Sequence, residues 1–404
     1  MAAAPTTGTP RSARTLVVAS LGGFVVLGLP DGMLGVAWPP LRAHFGQPLS
    51  GLGELLLASM AGYLLVAGST GRVLRSFGTA AMLIGAALTA GIAATLIAAG
   101  PVWPAVVLAA LLMGAASGGL DAALNTAVSL AGRPRWMNLL HASYGVGAAL
   151  GPLLVTASLA VSSAWRGAYA VLGVFEIALV GAWTALRRSL PRVPRHPLIG
   201  KAADPATAPG VGRHRHHVVL GLSLSLFFVY TGFEAAAGAW SASFLRLPDG
   251  FSATLAGISV FLYWAGLTAG RFGVAALGSR LSAVAASRGG SLLSLAGATL
   301  LCWAPGPATT VAALVLIGAG LGPIFPALVT LTPQRLGADA AVHAVGWELG
   351  AAGVGGAGMS ALVGVVLQTA GLRAFGPVLA ALAVVVLCLN LLVERSAPGS
   401  PQPA

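Results

Sequence analysis

The sequence predicts an all-α integral membrane protein with twelve transmembrane helices in two six-helix halves, and three observations lead to this fold class. The chain is 57% hydrophobic and only 8% charged, whereas about a quarter of the residues of a soluble protein are charged. Twelve apolar stretches are each about 20 residues long or longer, which is the length that crosses a bilayer as a helix. Short motifs also recur between the two halves of the chain at offsets of 203 or 204 residues.

The predicted spans form two groups of six. Those of the first half are placed at 16–38, 51–70, 79–100, 103–131, 137–160 and 166–186. Those of the second half are placed at 217–244, 252–277, 282–303, 308–332, 341–368 and 373–393. The division predicts a tail at 1–14, a six-helix domain at 15–187, a linker rich in Pro and basic residues at 188–216, a second six-helix domain at 217–394 and a tail at 395–404. The first apolar run is expected to be a retained helix, because no cleavage site of the small-x-small type follows it.

The net charge of +12 is explained by topology rather than by a nucleic-acid partner. The Lys and Arg residues fall in short segments between spans and at helix ends instead of on one surface. With the N-terminus inside, 18 of the 22 lie on the inner side and four on the outer side. Because Lys and Arg are enriched in cytoplasmic loops, we expect both termini and the linker in the cytoplasm of a multi-pass plasma-membrane protein.

The internal repeat rests on residues that recur in the same order in both halves. At an offset of 203 or 204 residues, the matched pairs are Asp31 and Glu234, Gly35 and Gly238, Gly62 and Gly266, Gly114 and Gly318, and Gly118 and Gly322. Glycines spaced four apart allow membrane helices to approach closely. We therefore interpret the pairs 114/118 and 318/322 as packing faces rather than ligand contacts.

Several motifs carry a resemblance to a known family. They are Leu-Pro-Asp-Gly-Met-Leu-Gly-Val-Ala-Trp-Pro at 29–39, Gly-Gly-Leu-Asp-Ala-Ala-Leu-Asn at 118–125, and the segments 137–147, 228–234, 263–271 and 322–326. Together with the two halves and the linker, they resemble the major facilitator superfamily and, within it, the fucose-permease-like branch. The resemblance implies alternating access around a site between the halves near the membrane midplane. In the fucose permease, acids of the first and fourth spans are associated with proton coupling and sugar binding, which implies those roles for Asp31 and Asp121.

Five acids are expected at membrane depth: Asp31, Asp121, Glu176, Glu234 and Glu348. An ionisable group inside a span is costly, by about 2.5 to 3.5 kcal/mol, and usually faces a polar interior. The sequence predicts no Lys or Arg in mid-span to neutralise these acids. Burial disfavours the charged form of a carboxyl group, so such acids can carry protons across. The same acids could instead neutralise a cationic substrate, and both possibilities predict a transporter.

The remaining site residues are expected to bind the solute. Asp121 and Asn125 are one helical turn apart, as are Asn138 and His141 on the next span, so they offer a carboxylate, two amides and an imidazole to a hydroxylated ligand. The other expected contacts are Tyr144, Glu234, Tyr263, Trp264, Trp347 and Glu348. Trp38 and Trp240, near the outer ends of their spans, are assigned to the interfacial aromatic belt. Glu176 has no polar company in the sequence and is left out of the site.

The sequence therefore predicts a secondary transporter that moves a small hydroxylated, sugar-like solute by alternating access with proton coupling. The alternative is a proton-driven exporter of a cationic drug or natural product, and a third possibility is a receptor that kept the fold without transport. We expect no catalytic residue, metal or cofactor, and a monomer whose partners are the solute, protons and lipid. Cys302 and Cys388 lie within apolar runs and are expected to form neither a disulfide nor a metal site.

Overall fold

The computed structural model describes residues 10–130, 134–162, 164–188, 190, 213–248, 250–303 and 306–396, and these residues form an almost entirely helical bundle. The helices of the first half are α1 Pro10–Phe45, α2 Leu52–Ala99, α3 Trp103–Leu130, α4 Pro134–Ser162 and α5 Arg166–Leu186. Those of the second half are α6 Arg213–Arg246, α7 Ala253–Leu277, α8 Ala283–Trp303, α9 Pro307–Leu321, α10 Ile324–Leu336, α11 Ala338–Ala370 and α12 Phe375–Ser396.

Eleven helical stretches in the described residues are long and apolar enough to cross a membrane. One of them, Leu49–Ala99, is 51 residues long and would extend about 75 Å if it were straight, against about 30 Å of hydrocarbon. Its helix is interrupted at Gly78, where φ is 82°. Glycine is suited to this left-handed conformation because it has no Cβ. A second composite stretch, Pro307–Leu336, joins α9 and α10.

Each half packs its helices in the same pattern. In the first half α1 packs against α4, α2 against α3, and α2 against α5. In the second half α6 packs against α11, α7 against α9, and α8 against α12. The arrangement is what an internal repeat predicts, if the two arms of α2 correspond to α7 and α8.

Several close glycine contacts also recur at the predicted offset. A Cβ built on Gly62 would lie 2.0 Å from the carbonyl oxygen of Leu111, and one built on Gly266 would lie 2.9 Å from that of Val315. Gly266 and Val315 follow Gly62 and Leu111 in the sequence by 204 residues each. Gly114 against Ser59 and Gly318 against Tyr263 are related in the same way, as are Gly118 against Tyr63 and Gly322 against Leu267. Both glycine pairs that the sequence assigned to packing therefore do pack.

The two halves touch along α1 and α6, α2 and α11, and α4 and α7, and we call this surface the seam. Several of these contacts lie at the end of the bundle opposite Pro10, Arg213 and Ser396. There the Ser50 backbone N–H donates to Oε1 of Gln368 at 3.2 Å. We call this the far end and the opposite one the termini end. At the termini end Arg215 Nε donates to the carbonyl oxygen of Ser396 at 2.8 Å, so α6 begins beside the end of α12.

Two tryptophans correct the predicted aromatic belt. Trp38 and Trp240 are fully buried instead of facing lipid at the membrane surface. The Trp38 indole donates to the carbonyl oxygen of Leu49 at 3.1 Å, and that of Trp240 donates to the carbonyl oxygen of Ser360 at 2.9 Å. The position of a tryptophan near the end of a span does not reveal whether its ring faces lipid or the interior of the bundle. These two rings pack between helices at the far end.

Candidate functional site

Asp31 lies where α1 packs closely against α4. The glycines near it touch the backbone of α4: a Cβ built on Gly28 would lie 2.2 Å from the carbonyl oxygen of Tyr144, and one on Gly32 would lie 2.0 Å from that of Ala148. This approach brings the Tyr144 hydroxyl to the Asp31 carboxylate, to which it donates a hydrogen bond. The Asp31 side chain is accessible to solvent although helices surround it, so it borders an open space inside the bundle.

Glu234 holds the matching place in the second half, on α6. Tyr230, one turn earlier, donates its hydroxyl hydrogen to the Glu234 carboxylate. Tyr263 of α7 donates to the backbone carbonyl of Glu234 at 2.8 Å. The Asp31 and Glu234 carboxylates are close enough for their charges to interact. Two acids at equivalent positions therefore lie within electrostatic range of each other, and each accepts a hydrogen bond from a tyrosine.

Glu234 also has a cationic partner, which corrects the expectation that no Lys or Arg lies at membrane depth. Nη2 of Arg271 is 3.4 Å from both carboxylate oxygens of Glu234. Arg271 lies on α7, six residues before the helix ends at Leu277. The predicted eighth span also ended at 277, but the charge count grouped this arginine with the inner segments and helix ends. Only the tertiary contact with α6 reveals it as the partner of a partly buried acid.

Asp121 forms the second acid site of the first half, on α3. Asn125, one turn later, donates to Oδ1 of Asp121 at 2.7 Å, and the Tyr63 hydroxyl of α2 donates to Oδ2 at 2.8 Å. His141 of α4 interacts electrostatically with both Asp121 and Arg271. The polar groups of the first half thus come within electrostatic range of the arginine of the second half.

Tyr263 and Trp264 are both buried, at the contact of α7 with α6. Their rings meet edge to face with centroids 5.2 Å apart. A Cβ built on Gly238 would lie 2.8 Å from the Trp264 ring, so this glycine makes room for the indole. The Trp264 Nε1–H has no acceptor among the described residues.

Trp347 and Glu348 are not gathered with these groups. Glu348 of α11 is fully buried within the second half, where it accepts hydrogen bonds from the hydroxyls of Ser223 on α6 and Thr332 on α10. Arg335 of α10 lies within electrostatic range of the same carboxylate. Trp347 is 69% exposed, so the two neighbours do not share a face.

One amide and one acid that the sequence analysis considered lie apart from these groups or outside the described residues. The Asn138 side chain lies outside the described residues, so its predicted role remains a prediction. Glu176 is 3% exposed on α5, and its Oε2 has no partner in the described part of the chain. It lies beside Pro30 and Ser117 inside the first half.

Three residues of this site were missed by sequence reasoning: Tyr63, Tyr230 and Arg271. Tyr63 directly follows Gly62 of the internal repeat, and Tyr230 and Arg271 lie within two of the motifs that carry the family resemblance. Their positions were therefore visible in the sequence, but their contacts depend on how neighbouring helices rotate toward the seam.

The described residues contain no group of three or more His, Cys, Asp or Glu arranged for a metal ion. Cys302 and Cys388, the two cysteines of the sequence, are both free thiols. The polar groups of the seam can accept, donate and hold protons, and they surround a space that solvent reaches.

Comparison with known proteins gives one family and several similar structures. A family model described as the Major Facilitator Superfamily matches residues 20–360. A bacterial homologue of the human lysosomal transporter Spinster, inward-facing and unoccupied, is similar over 98% of this chain and 100% of its own at 14% identity, with a TM-score of 0.72. The nucleoside transporter NupG and the transporter FucP, the latter in an outward conformation, are similar at 14% and 18% identity, each over 95% of this chain and 99% of its own, with TM-scores of 0.74 and 0.62. No curated protein sequence matches.

Proposed function

The chain belongs to the major facilitator superfamily, and from this premise we propose that it is a proton-coupled carrier that moves a small hydroxylated solute by alternating access. Membership makes the chain a multi-pass membrane transporter rather than an enzyme. Beyond membership, we propose the coupling ion, the solute class and the transport cycle.

The proposed topology has twelve spans in two pseudo-repeats. The break at Gly78 divides the 51-residue stretch of α2 into two crossings, while α9 and α10 together make one. In this proposed topology both termini and the linker lie on one side, which we assign to the cytoplasm of the plasma membrane because 18 of the 22 Lys and Arg residues fall there. In that orientation, the seam contacts at the far end close the outer side.

The proposed coupling sites are Asp31 and Asp121, and the observation that carries the proposal is the environment of Asp31. Its carboxylate is reached by solvent inside the bundle and is bonded to one hydroxyl group, that of Tyr144. Glu234, its counterpart, is held by Arg271. An acid without a cationic partner in a poorly hydrated space can take up a proton from one side and release it to the other.

The proposed solute contacts are the polar and aromatic groups at the seam. They are Asn125, His141, Tyr144, Glu234, Tyr263 and Trp264. Hydroxyl groups both donate and accept, so they suit a site that mixes carboxylates, an amide, an imidazole and phenols. FucP and the nucleoside transporter NupG share the fold, and a nucleoside also carries a hydroxylated ring. Glu348 is left out because both of its oxygens are already bonded inside the second half.

The alternative, an exporter of a cationic compound, is disfavoured by Arg271. A guanidinium at the seam repels a second cation and already partly neutralises Glu234. An exporter would need Asp31 and Asp121 to outweigh that charge.

Proton flux in proteoliposomes tests the proposal. Purified protein is reconstituted with a pH-sensitive dye inside the vesicles, and hexoses, pentoses and nucleosides are added outside, with quaternary ammonium compounds as the cationic set. We expect a solute-dependent pH change with at least one hydroxylated compound. A pH change with the cationic compounds alone would favour the exporter, and no response to any compound would contradict proton coupling.

A further inference from the structure

One face of α7 carries three polar atoms that have no hydrogen-bond partner among the described residues. They are Nε1 of Trp264, Oγ1 of Thr268 and Nε of Arg271, and each atom is buried. The residues are spaced four and three apart, so they lie on one stripe of the helix. We call these three residues the α7 stripe.

Two residues of the α7 stripe, Thr268 and Arg271, face α4 across the seam, and Trp264 packs beside Gly238 of α6. A Cβ built on Gly145 of α4 would lie 2.9 Å from the Thr268 hydroxyl, so this hydroxyl faces the other half of the protein. Arg271 lies within electrostatic range of His141 and Tyr144, which are also on α4. A motion that separates α4 from α7 therefore uncovers Thr268 and Arg271.

Arg271 is only partly engaged by Glu234. Its Nη2 contacts both carboxylate oxygens at 3.4 Å, longer than the 2.7 to 2.9 Å typical of a charge-assisted hydrogen bond. The side chain remains 27% exposed, so part of the guanidinium is available to a ligand. A long side chain on a helix leans toward the N-terminal end, which turns Arg271 back toward Thr268 and Trp264.

A buried donor without an acceptor costs free energy, so such atoms call for a partner. Isolated cases occur elsewhere in the described chain, including Nε1 of Trp183 and Oγ of Ser243. The α7 stripe differs because its three atoms are aligned on one helix face. An indole and a guanidinium can only donate, and a hydroxyl can donate as well as accept. The missing partner is therefore a ligand rich in acceptors.

We propose that the solute is a hydroxylated carboxylic acid, such as a sugar acid, and that the α7 stripe binds it. Arg271 binds the carboxylate, whose two oxygens match the planar fork of a guanidinium. Thr268 and Trp264 donate to hydroxyl or ring oxygens farther along the molecule. This inference rests on the proposed function and narrows its solute class from small hydroxylated compounds in general to anionic ones.

Titration calorimetry on the full-length protein in detergent tests the charge preference. The acids D-gluconate and D-glucuronate are compared with uncharged D-glucose and cationic D-glucosamine. A charged hydrogen bond in a protein site changes affinity by about tenfold or more, so we expect each acid to bind about tenfold more tightly than glucose. We expect glucosamine to bind most weakly.

Three variants test the stripe itself. Arg271→Lys keeps the charge but loses Nε–H and the planar fork, so we expect acid binding to weaken about tenfold and glucose binding to change far less. Thr268→Val removes one donor at nearly constant shape, and Trp264→Phe removes the indole N–H together with part of the ring. Each should weaken binding about three- to tenfold. Trp183→Phe is the matched control, because it removes an unpartnered indole N–H away from the seam and should leave binding unchanged.

Thermal unfolding of each variant is measured first, and Thr268→Val keeps the test decisive if Arg271→Lys does not fold. The inference is overturned if glucose binds as tightly as the acids, or if the stripe variants behave like Trp183→Phe. In that event, proton flux driven by an uncharged sugar would leave the proposed function standing. Absence of both binding and flux for every compound would overturn the inference and the proposed function together.

Discussion

Glu234 follows Asp31 by 203 residues in the sequence, yet the two carboxylates interact across the seam between the halves. Each accepts a hydrogen bond from a tyrosine, but only Glu234 has an arginine beside it. Glu234 is held in an ion pair within the second half, whereas Asp31 has no such partner in the described structure. Under the proposed function, this asymmetry leaves Asp31 as the acid that exchanges protons.

The first prediction concerns the two acids of the first half. An amide cannot release a proton, so Asp31→Asn and Asp121→Asn should each reduce uptake driven by a pH gradient to the background of empty vesicles. At least one of them should still exchange solute across the membrane, because exchange needs no net proton movement. Paired uptake and counterflow in proteoliposomes measure both activities.

Glu176→Gln is the control for these variants, since Glu176 is a buried acid of the same half that lies outside the proposed site. It should keep proton-driven uptake. Full accumulation by both Asp31→Asn and Asp121→Asn would show that these acids are structural, and the coupling assignment would be wrong.

The second prediction concerns the ion pair at the seam. Glu234→Gln leaves Arg271 without its carboxylate, and because the guanidinium is only partly exposed, we expect a loss of about 1 to 3 kcal/mol in the free energy of unfolding. Glu234→Gln combined with Arg271→Gln removes both charges and should recover part of that loss. Thermal unfolding in detergent provides the comparison.

Arg288 and Glu394 supply the matched control, because they pair at the termini end with Arg288 half exposed. Arg288→Gln should change stability by less than about 1 kcal/mol. A double variant at the seam that is less stable than Glu234→Gln alone would contradict the pairing.

The third prediction tests the repeated glycine contacts. A Cβ built on Gly114 would lie 1.8 Å from the carbonyl oxygen of Ser59, and one on Gly318 would lie 2.1 Å from that of Tyr263. Gly114→Ala and Gly318→Ala should therefore each destabilise the protein by about 1 to 3 kcal/mol, because helix backbones must separate. Gly68→Ala, with no neighbouring atom within 4 Å, should be neutral or slightly stabilising. Equal thermal midpoints for all three variants would refute the packing role.

The fourth prediction concerns topology. In a background with Cys302 and Cys388 replaced by Ser, single cysteines introduced between residues 195 and 212 should react with a membrane-impermeant maleimide only after the cells are opened. The excess of basic residues on this side is the physical reason. Labelling of intact cells at these positions would invert the proposed orientation.

The long apolar helices and the helix-packing glycines were predictable from the sequence, because both depend on local composition. Hydrophobic length identifies a span wherever the chain places it, and Gly-x3-Gly indicates close packing whichever helix is the partner. The polar environment of Asp31 was also predictable from local composition, because an acid in an apolar run needs a polar neighbour. Its donor, Tyr144, lies 113 residues away, and no local pattern connects them.

The ion pair and the buried tryptophans could not be predicted, because both depend on helix rotation. Arg271 occurs near the end of its span, where an arginine usually reaches toward the membrane surface. It turns inward because Glu234 and Tyr230 on α6 offer it acceptors. Trp240 likewise faces inward because Gly364 on α11 leaves room for its ring. These side-chain orientations depend on the neighbouring helix, so the sequence of one helix alone does not predict them.

The last prediction tests alternating access at the far end. Gly53 of α2 and Ala361 of α11 pack across the seam there: a Cβ built on Gly53 would lie 3.0 Å from the Ala361 Cβ, within reach of a disulfide after a small shift. In the background without native cysteines, oxidation of Gly53→Cys/Ala361→Cys should hold the halves together and stop solute exchange, and reduction should restore it. Ser287→Cys/Asn390→Cys joins two helices within the second half, whose side chains are in contact, and should leave exchange unchanged. If the oxidised Gly53→Cys/Ala361→Cys protein exchanges solute as fast as the same protein after reduction of the disulfide, the far end does not need to open. Alternating access about this seam is then wrong.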